Sequence, residues 1–136
     1  MLSRVREIGA ILLAPTFFFL YMIWSRPPYL RPTLVLTLAV YVFAHFIFWP
    51  PALSAEFVGR KRQLSMAKVV ALNFVLSASF AAICIAVTAI LKPDPAYSWR
   101  SGVRDTLDLA IANTLGFILY RFISARKPRI DILRRA

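Results

Sequence analysis

Apolar residues in this chain gather into four long runs, Ile8–Trp24, Thr33–Trp49, Val69–Leu91 and about Thr106–Ile123, which hold almost none of its charge. A helix rises ~1.5 Å per residue and a hydrocarbon layer is ~30 Å thick, so each run is about the length of one crossing. The pattern predicts an all-α integral membrane bundle of four transmembrane helices in one domain spanning 1–136, with helices over 8–24, 33–49, 69–91 and 106–123 and a basic tail at 124–136.

Helix breakers divide the runs. Ser25-Arg26-Pro27-Pro28 closes the first hairpin, Pro50-Pro51 is expected to end the second helix, and Lys92-Pro93-Asp94-Pro95 ends the third. Ser65 is placed to cap the third helix and Ser101 the fourth, just ahead of Asp105 at the favourable end of its dipole. Pro15 removes one hydrogen bond from the first helix and should bend it. Arg4 and Arg6 precede the first run as in a signal peptide. No small-x-small site follows it, so the run is expected to remain as an uncleaved span.

Charge gives the runs a direction. Twelve Lys and Arg flank the N terminus, the second loop and the C terminus, against five in the first and third loops. By the positive-inside rule both termini face the cytoplasm, with the bacterial inner (plasma) membrane as the expected location. The net charge of +11 therefore reads as topology and headgroup contact, and no nucleic acid is expected as a partner. The bilayer partner is one with anionic headgroups, met by a basic cluster of Arg60, Lys61, Arg62, Arg126, Lys127 and Arg129. Around the first three of these, Ser54–Met66 fits either a short interfacial helix between the second and third spans or a solvated loop.

Small residues at four-residue spacing let backbones approach in lipid, where no hydrophobic drive joins helices. Ala78, Ala82 and Ala86 on the third helix, with Ala112 and Gly116 on the fourth, mark those two helices as the tight internal pair. The aromatic first and second helices are left for lipid or a partner.

A polar side chain in a span is costly enough to be a candidate for function, once its depth is considered. The outer-end charges Lys92, Asp105 and Asp108 lie shallow and can pair with neighbours. His45, Asn73 and Arg121 each fall ~6 Å inside the inner interface if helix two ends at Trp49, so one shared cluster is expected, either a cavity mouth or a packing device. Asn113, with Thr114 beside it and Ser77 and Ser79 on helix three, is the deepest candidate.

One His, six acids and four Gly offer no metal centre, phosphate loop or catalytic set, and Cys84 alone offers no disulfide within the chain. No cofactor and no enzyme activity are expected. The leading expectation is a non-catalytic accessory, assembly or scaffolding subunit of a membrane complex, or a homo-oligomer, whose partners are other membrane chains or itself. The alternative is a small transporter, channel or holin-like pore formed by oligomers.

Overall fold

The computed structural model describes residues 2–25 and 33–125. The first-loop turn and the tail cations Arg126, Lys127 and Arg129 lie outside the described residues. The described chain is all helical: α1 (Leu2–Leu13), α2 (Thr16–Trp24), α3 (Leu34–Lys61), α4 (Met66–Leu91) and α5 (Trp99–Ala125). Four helices are long and apolar enough to cross a membrane, over Arg4–Trp24, Leu34–Lys61, Met66–Leu91 and Trp99–Ser124.

α1 and α2 are the two halves of the first apolar run, parted at Ala14–Pro15. Pro15 has no N–H to donate back along the helix, so the ladder is interrupted there. Ala14 N–H still reaches Ala10 O at 3.0 Å, and the next turn restarts with Phe19 N–H on Pro15 O at 2.8 Å. One carbonyl in the last turn of α1 finds a partner across the bundle: Tyr41 donates its hydroxyl to Leu12 O at 2.8 Å.

The prolines of α3 do not end it. Pro50 and Pro51 lie inside a 28-residue helix that continues to Lys61. Each proline removes one donor, which is a local cost. The residues beyond them supply the compensation, because Ala52, Ala55 and Gly59 are all buried. Ser54 also donates its hydroxyl to Pro50 O at 2.7 Å. Of the stretch Ser54–Met66, the residues up to Lys61 are thus the last part of α3, and Met66 begins α4. A Schellman closure ends α3, with Leu64 N–H on Gly59 O at 2.9 Å and Gln63 N–H on Arg60 O at 3.3 Å. Gln63 takes the left-handed position at φ 50 where glycine is the usual residue. At Gly59 a Cβ would stand 2.6 Å from Val69 Cγ2, so the missing side chain is what lets α3 meet the start of α4.

Helix starts move slightly from the expected positions. Ser65 occupies the N-cap of α4 without a side-chain cap bond. α5 begins at Trp99 rather than near Thr106, so Ser101 lies within it and Ser98 is the cap, accepting Ser101 N–H at 3.2 Å.

α5 packs along α4 and against both α1 and α2, while α3 lies against α4 and α2, so the four spans close a ring. The α4–α5 contact is the most extensive, but its seam is not the alanine stripe. On α4 the buried residues are Val69, Asn73, Ser77 and Ala81. Ala82 and Ala86 face outward and Ala78 is only half-buried. They stand one residue, ~100°, around the helix from the seam. Ala112 and Gly116 are buried on α5, and Gly116 serves the first span: a Cβ there would strike Ala14 O and come within 3.0 Å of Phe48 Cε2. Ala14, Phe48, Ala52, Ala55, Val69 and Phe117 form the continuous core around this close approach.

Candidate functional site

Two polar loci lie within the ring, and a third set of polar side chains lies on its outside. The first locus joins α4 to α5. A buried amide must find a partner in a low-dielectric interior. Asn113 donates from Nδ2 to Ser77 Oγ at 2.9 Å. Asn73, one turn before Ser77, donates from Nδ2 to Thr114 Oγ1 at 3.4 Å. The other end of each amide is unmatched: Asn73 Oδ1 and Asn113 Oδ1 are buried with no hydrogen-bond partner among the described residues. Interhelical bonds of this kind contribute ~0.6 kcal/mol each in membranes. A buried acceptor left unpaired costs ~1–3 kcal/mol, so the locus does not stabilise the bundle on balance. The apolar packing of Phe117 and Phe48 around the α5 contact holds it in place.

The second locus lies at the end of the bundle where α1 begins and α3 and α5 finish. Glu56 forms ion pairs with two guanidiniums, Arg121 Nε at 3.3 Å and Arg60 Nε at 3.5 Å. The Glu56 side chain is 15% exposed, against 84% for Arg60 and 30% for Arg121. Arg60 is thus an exposed i,i+4 partner contributing ~0.3–0.5 kcal/mol. The Arg121 pair is the sheltered one, and losing either member leaves a charge in a poorly solvated place. Arg121 also lies 5.9 Å from the centre of the Phe117 ring. Glu7, Ile11, Tyr120 and Ser124 complete a cleft of about 410 Å³ around these groups.

His45, Asn73 and Arg121 do not form one cluster. The expected equal depth assumed that helix two ends at Trp49, whereas α3 continues to Lys61. His45 therefore lies ~24 Å along the helix from that end. It lies beside Trp49, whose Nε1–H donates to His45 Nδ1 at 3.0 Å, and not against Asn73, which bonds Thr114. Tyr41 meets the imidazole edge-on at 4.9 Å between ring centres. Val42, Phe46, Pro50 and Leu53 join His45 and Trp49 along one apolar groove on α3.

At the opposite end of the bundle, Asp105 pairs with Arg104 at 3.5 Å and accepts the Tyr97 hydroxyl at 2.8 Å. Desolvation, with the hydrogen bond and negative charge of Asp105 behind it, raises the Tyr97 pKa above its usual value. Lys92 is exposed, Asp108 half-buried. Lys61 and Arg62 are exposed at the end of α3 beside the paired Arg60.

Glu56 and Glu7 escaped the sequence reading, which placed both outside the spans. The available signal was the four-residue spacing of Glu56 and Arg60, which has meaning only if a helix runs through Pro50-Pro51. Among the described residues, no three His, Cys, Asp or Glu side chains gather to hold a metal ion.

Among the described residues, fold and contacts together define a small all-helical bundle with four helices long and apolar enough for a multi-pass membrane protein. Comparison with protein-family models, curated proteins and solved structures finds no match.

Proposed function

We propose that this chain is a non-catalytic multi-pass membrane protein that works by helix contact, as an accessory, assembly or scaffolding subunit of a membrane complex or as a homo-oligomer. In this reading it sits in a bacterial inner membrane with both termini in the cytoplasm, and the end of α3 lies at headgroup depth. The carrying observation is where polar and apolar groups point. Asn113 with Ser77, Asn73 with Thr114 and Glu56 with Arg121 all join one helix of the bundle to another. What faces outward is large and apolar, including Trp24 at 90% exposure and Phe46 at 71%. The small residues Ala82 and Ala86 lie open on α4, where another backbone can approach closely. Native mass spectrometry after extraction in mild detergent tests the reading. Higher-order copies or a stoichiometric membrane partner are expected; a stable lone monomer contradicts it.

One observation favours a second reading, a small transporter, channel or holin-like pore formed by oligomers. The unpartnered amide oxygens of Asn73 and Asn113 are the kind of acceptors that a passing polar solute or ion engages. Liposome flux abolished by replacing Asn113 supports that reading, and flux indifferent to Asn113 and His45 rejects it.

A further inference from the structure

We propose that the cleft between the start of α1 and the ends of α3 and α5 is a binding site for the headgroup of an amine-bearing zwitterionic phospholipid, phosphatidylethanolamine in chemical class. The inference rests on the four helices crossing a bilayer and not on the scaffolding role.

The cleft lies at the depth of headgroups. Glu7 lies near the start of the candidate crossing Arg4–Trp24, Arg60 near the end of Leu34–Lys61, and Arg121 and Ser124 near the end of Trp99–Ser124. Three helix ends therefore bring their polar side chains to one level, where a span gives way to headgroups. The cleft of about 410 Å³ falls within the ~300–1,000 Å³ typical of ligand pockets. One helical turn deeper than Glu7, Ile11 supplies an apolar wall leading toward the hydrocarbon.

The charges of the cleft are divided between its two sides. Glu56 is met by both Arg121 and Arg60. One carboxylate cannot neutralise two guanidiniums, so the set retains a net positive charge. Across the cleft, the exposed Glu7 carboxylate has no ion pair among the described residues. Positive charge on the α3 and α5 side and negative charge on the α1 side form the complement of a zwitterion. The phosphate oxygens accept from Arg60, Arg121 and the Tyr120 and Ser124 hydroxyls. The ammonium donates to Glu7. A purely anionic headgroup leaves Glu7 facing negative charge, and a trimethylated amine has no N–H to donate to it.

The test uses the full chain in mild detergent, with native mass spectrometry and thermal unfolding as readouts. Phosphatidylethanolamine, phosphatidylcholine and phosphatidylglycerol of identical acyl chains are the probes. Phosphatidylethanolamine should bind about tenfold better than phosphatidylcholine, the size of one charge-assisted hydrogen bond. Glu7→Gln, a change at an exposed position, should bring the two lipids to parity while the protein keeps its unfolding temperature without added lipid. Glu7→Asp should restore part of the preference, and Lys61→Gln, outside the cleft, should leave it intact. Soluble phosphoethanolamine should neither bind nor stabilise, since it lacks the glycerol and chains that Ile11 faces. Equal binding of the two zwitterionic lipids, stronger binding of phosphatidylglycerol, a preference surviving Glu7→Gln, or equal stabilisation by the soluble headgroup would each overturn the assignment.

Discussion

Glu56 holds Arg121 at 3.3 Å, and that contact fastens the end of α5 to the part of α3 lying beyond two consecutive prolines. The carboxylate is the more sheltered member, shared with the exposed Arg60. A single acidic side chain thus anchors one end of the ring.

Replacing Glu56 should therefore cost more than replacing Arg60. Glu56→Gln is expected to lower stability by ~1–3 kcal/mol, because Arg121 is left half-sheltered without its counter-charge. Arg60→Gln should cost under ~0.5 kcal/mol. Thermal unfolding of the two variants in one detergent measures the difference, and equal effects contradict the assignment of the anchor to Arg121.

Gly116 is required by a close approach of chains rather than by backbone conformation. A Cβ there would strike Ala14 O, which belongs to the bend and cannot swing aside as a flexible side chain does. Gly116→Ala is expected to destabilise by ~1–3 kcal/mol by overpacking, despite alanine's better helix propensity. Gly9, where a Cβ would meet nothing within 4 Å, is the control. Gly9→Ala should be neutral or stabilising by up to ~1 kcal/mol. Unfolding curves showing the two substitutions alike would refute the close approach.

Ser77 and Asn113 should behave as a coupled pair. Ser77→Ala leaves the Asn113 amide with neither end matched, at an expected ~0.6 kcal/mol and at most ~1.7 kcal/mol. In a double-mutant cycle with Asn113→Ala, the coupling should be ~0.6 kcal/mol and at most ~1.7 kcal/mol. Strict additivity would mean that the 2.9 Å bond contributes nothing.

Tyr97 carries an alkaline signature. Its pKa in the folded protein lies above the usual value, chiefly through desolvation and the bond to Asp105. A pKa raised on folding stabilises below the unfolded value, near 10, and that contribution is lost as pH rises through the folded value. The stability difference between the wild-type chain and Tyr97→Phe should hold steady up to about pH 10 and then shrink. Paired unfolding measurements across this range check the sign; a difference that grows with pH contradicts it.

The four helices long and apolar enough to cross a membrane were legible because a continuous apolar run of that length has few other readings. Asn73, Ser77 and Asn113 were legible as polar residues in apolar runs, and the structure brings all three to the α4–α5 contact. Rotation was not legible. α4 is apolar nearly all round, so alanines one residue away from the true seam looked equally suited to packing. The end of α3 was misplaced because a proline pair is a strong local stop, and its reversal depends on burial of Ala52, Ala55 and Gly59 by a helix later in the chain. His45 was misplaced with it, since its depth was counted from that false end. Glu56 was missed for the same reason.

The scaffolding role and the lipid site both depend on four crossings, and cysteine accessibility in intact cells tests those crossings, together with the proposed cytoplasmic termini, most directly. With Cys84 replaced by Ala, a membrane-impermeant thiol reagent is applied to single-cysteine variants in the two described turns. Ala96→Cys, between α4 and α5, should be labelled from outside, and Gln63→Cys, between α3 and α4, only after the membrane is opened. Labelling of Gln63→Cys in intact cells, or protection of Ala96→Cys, would contradict this topology.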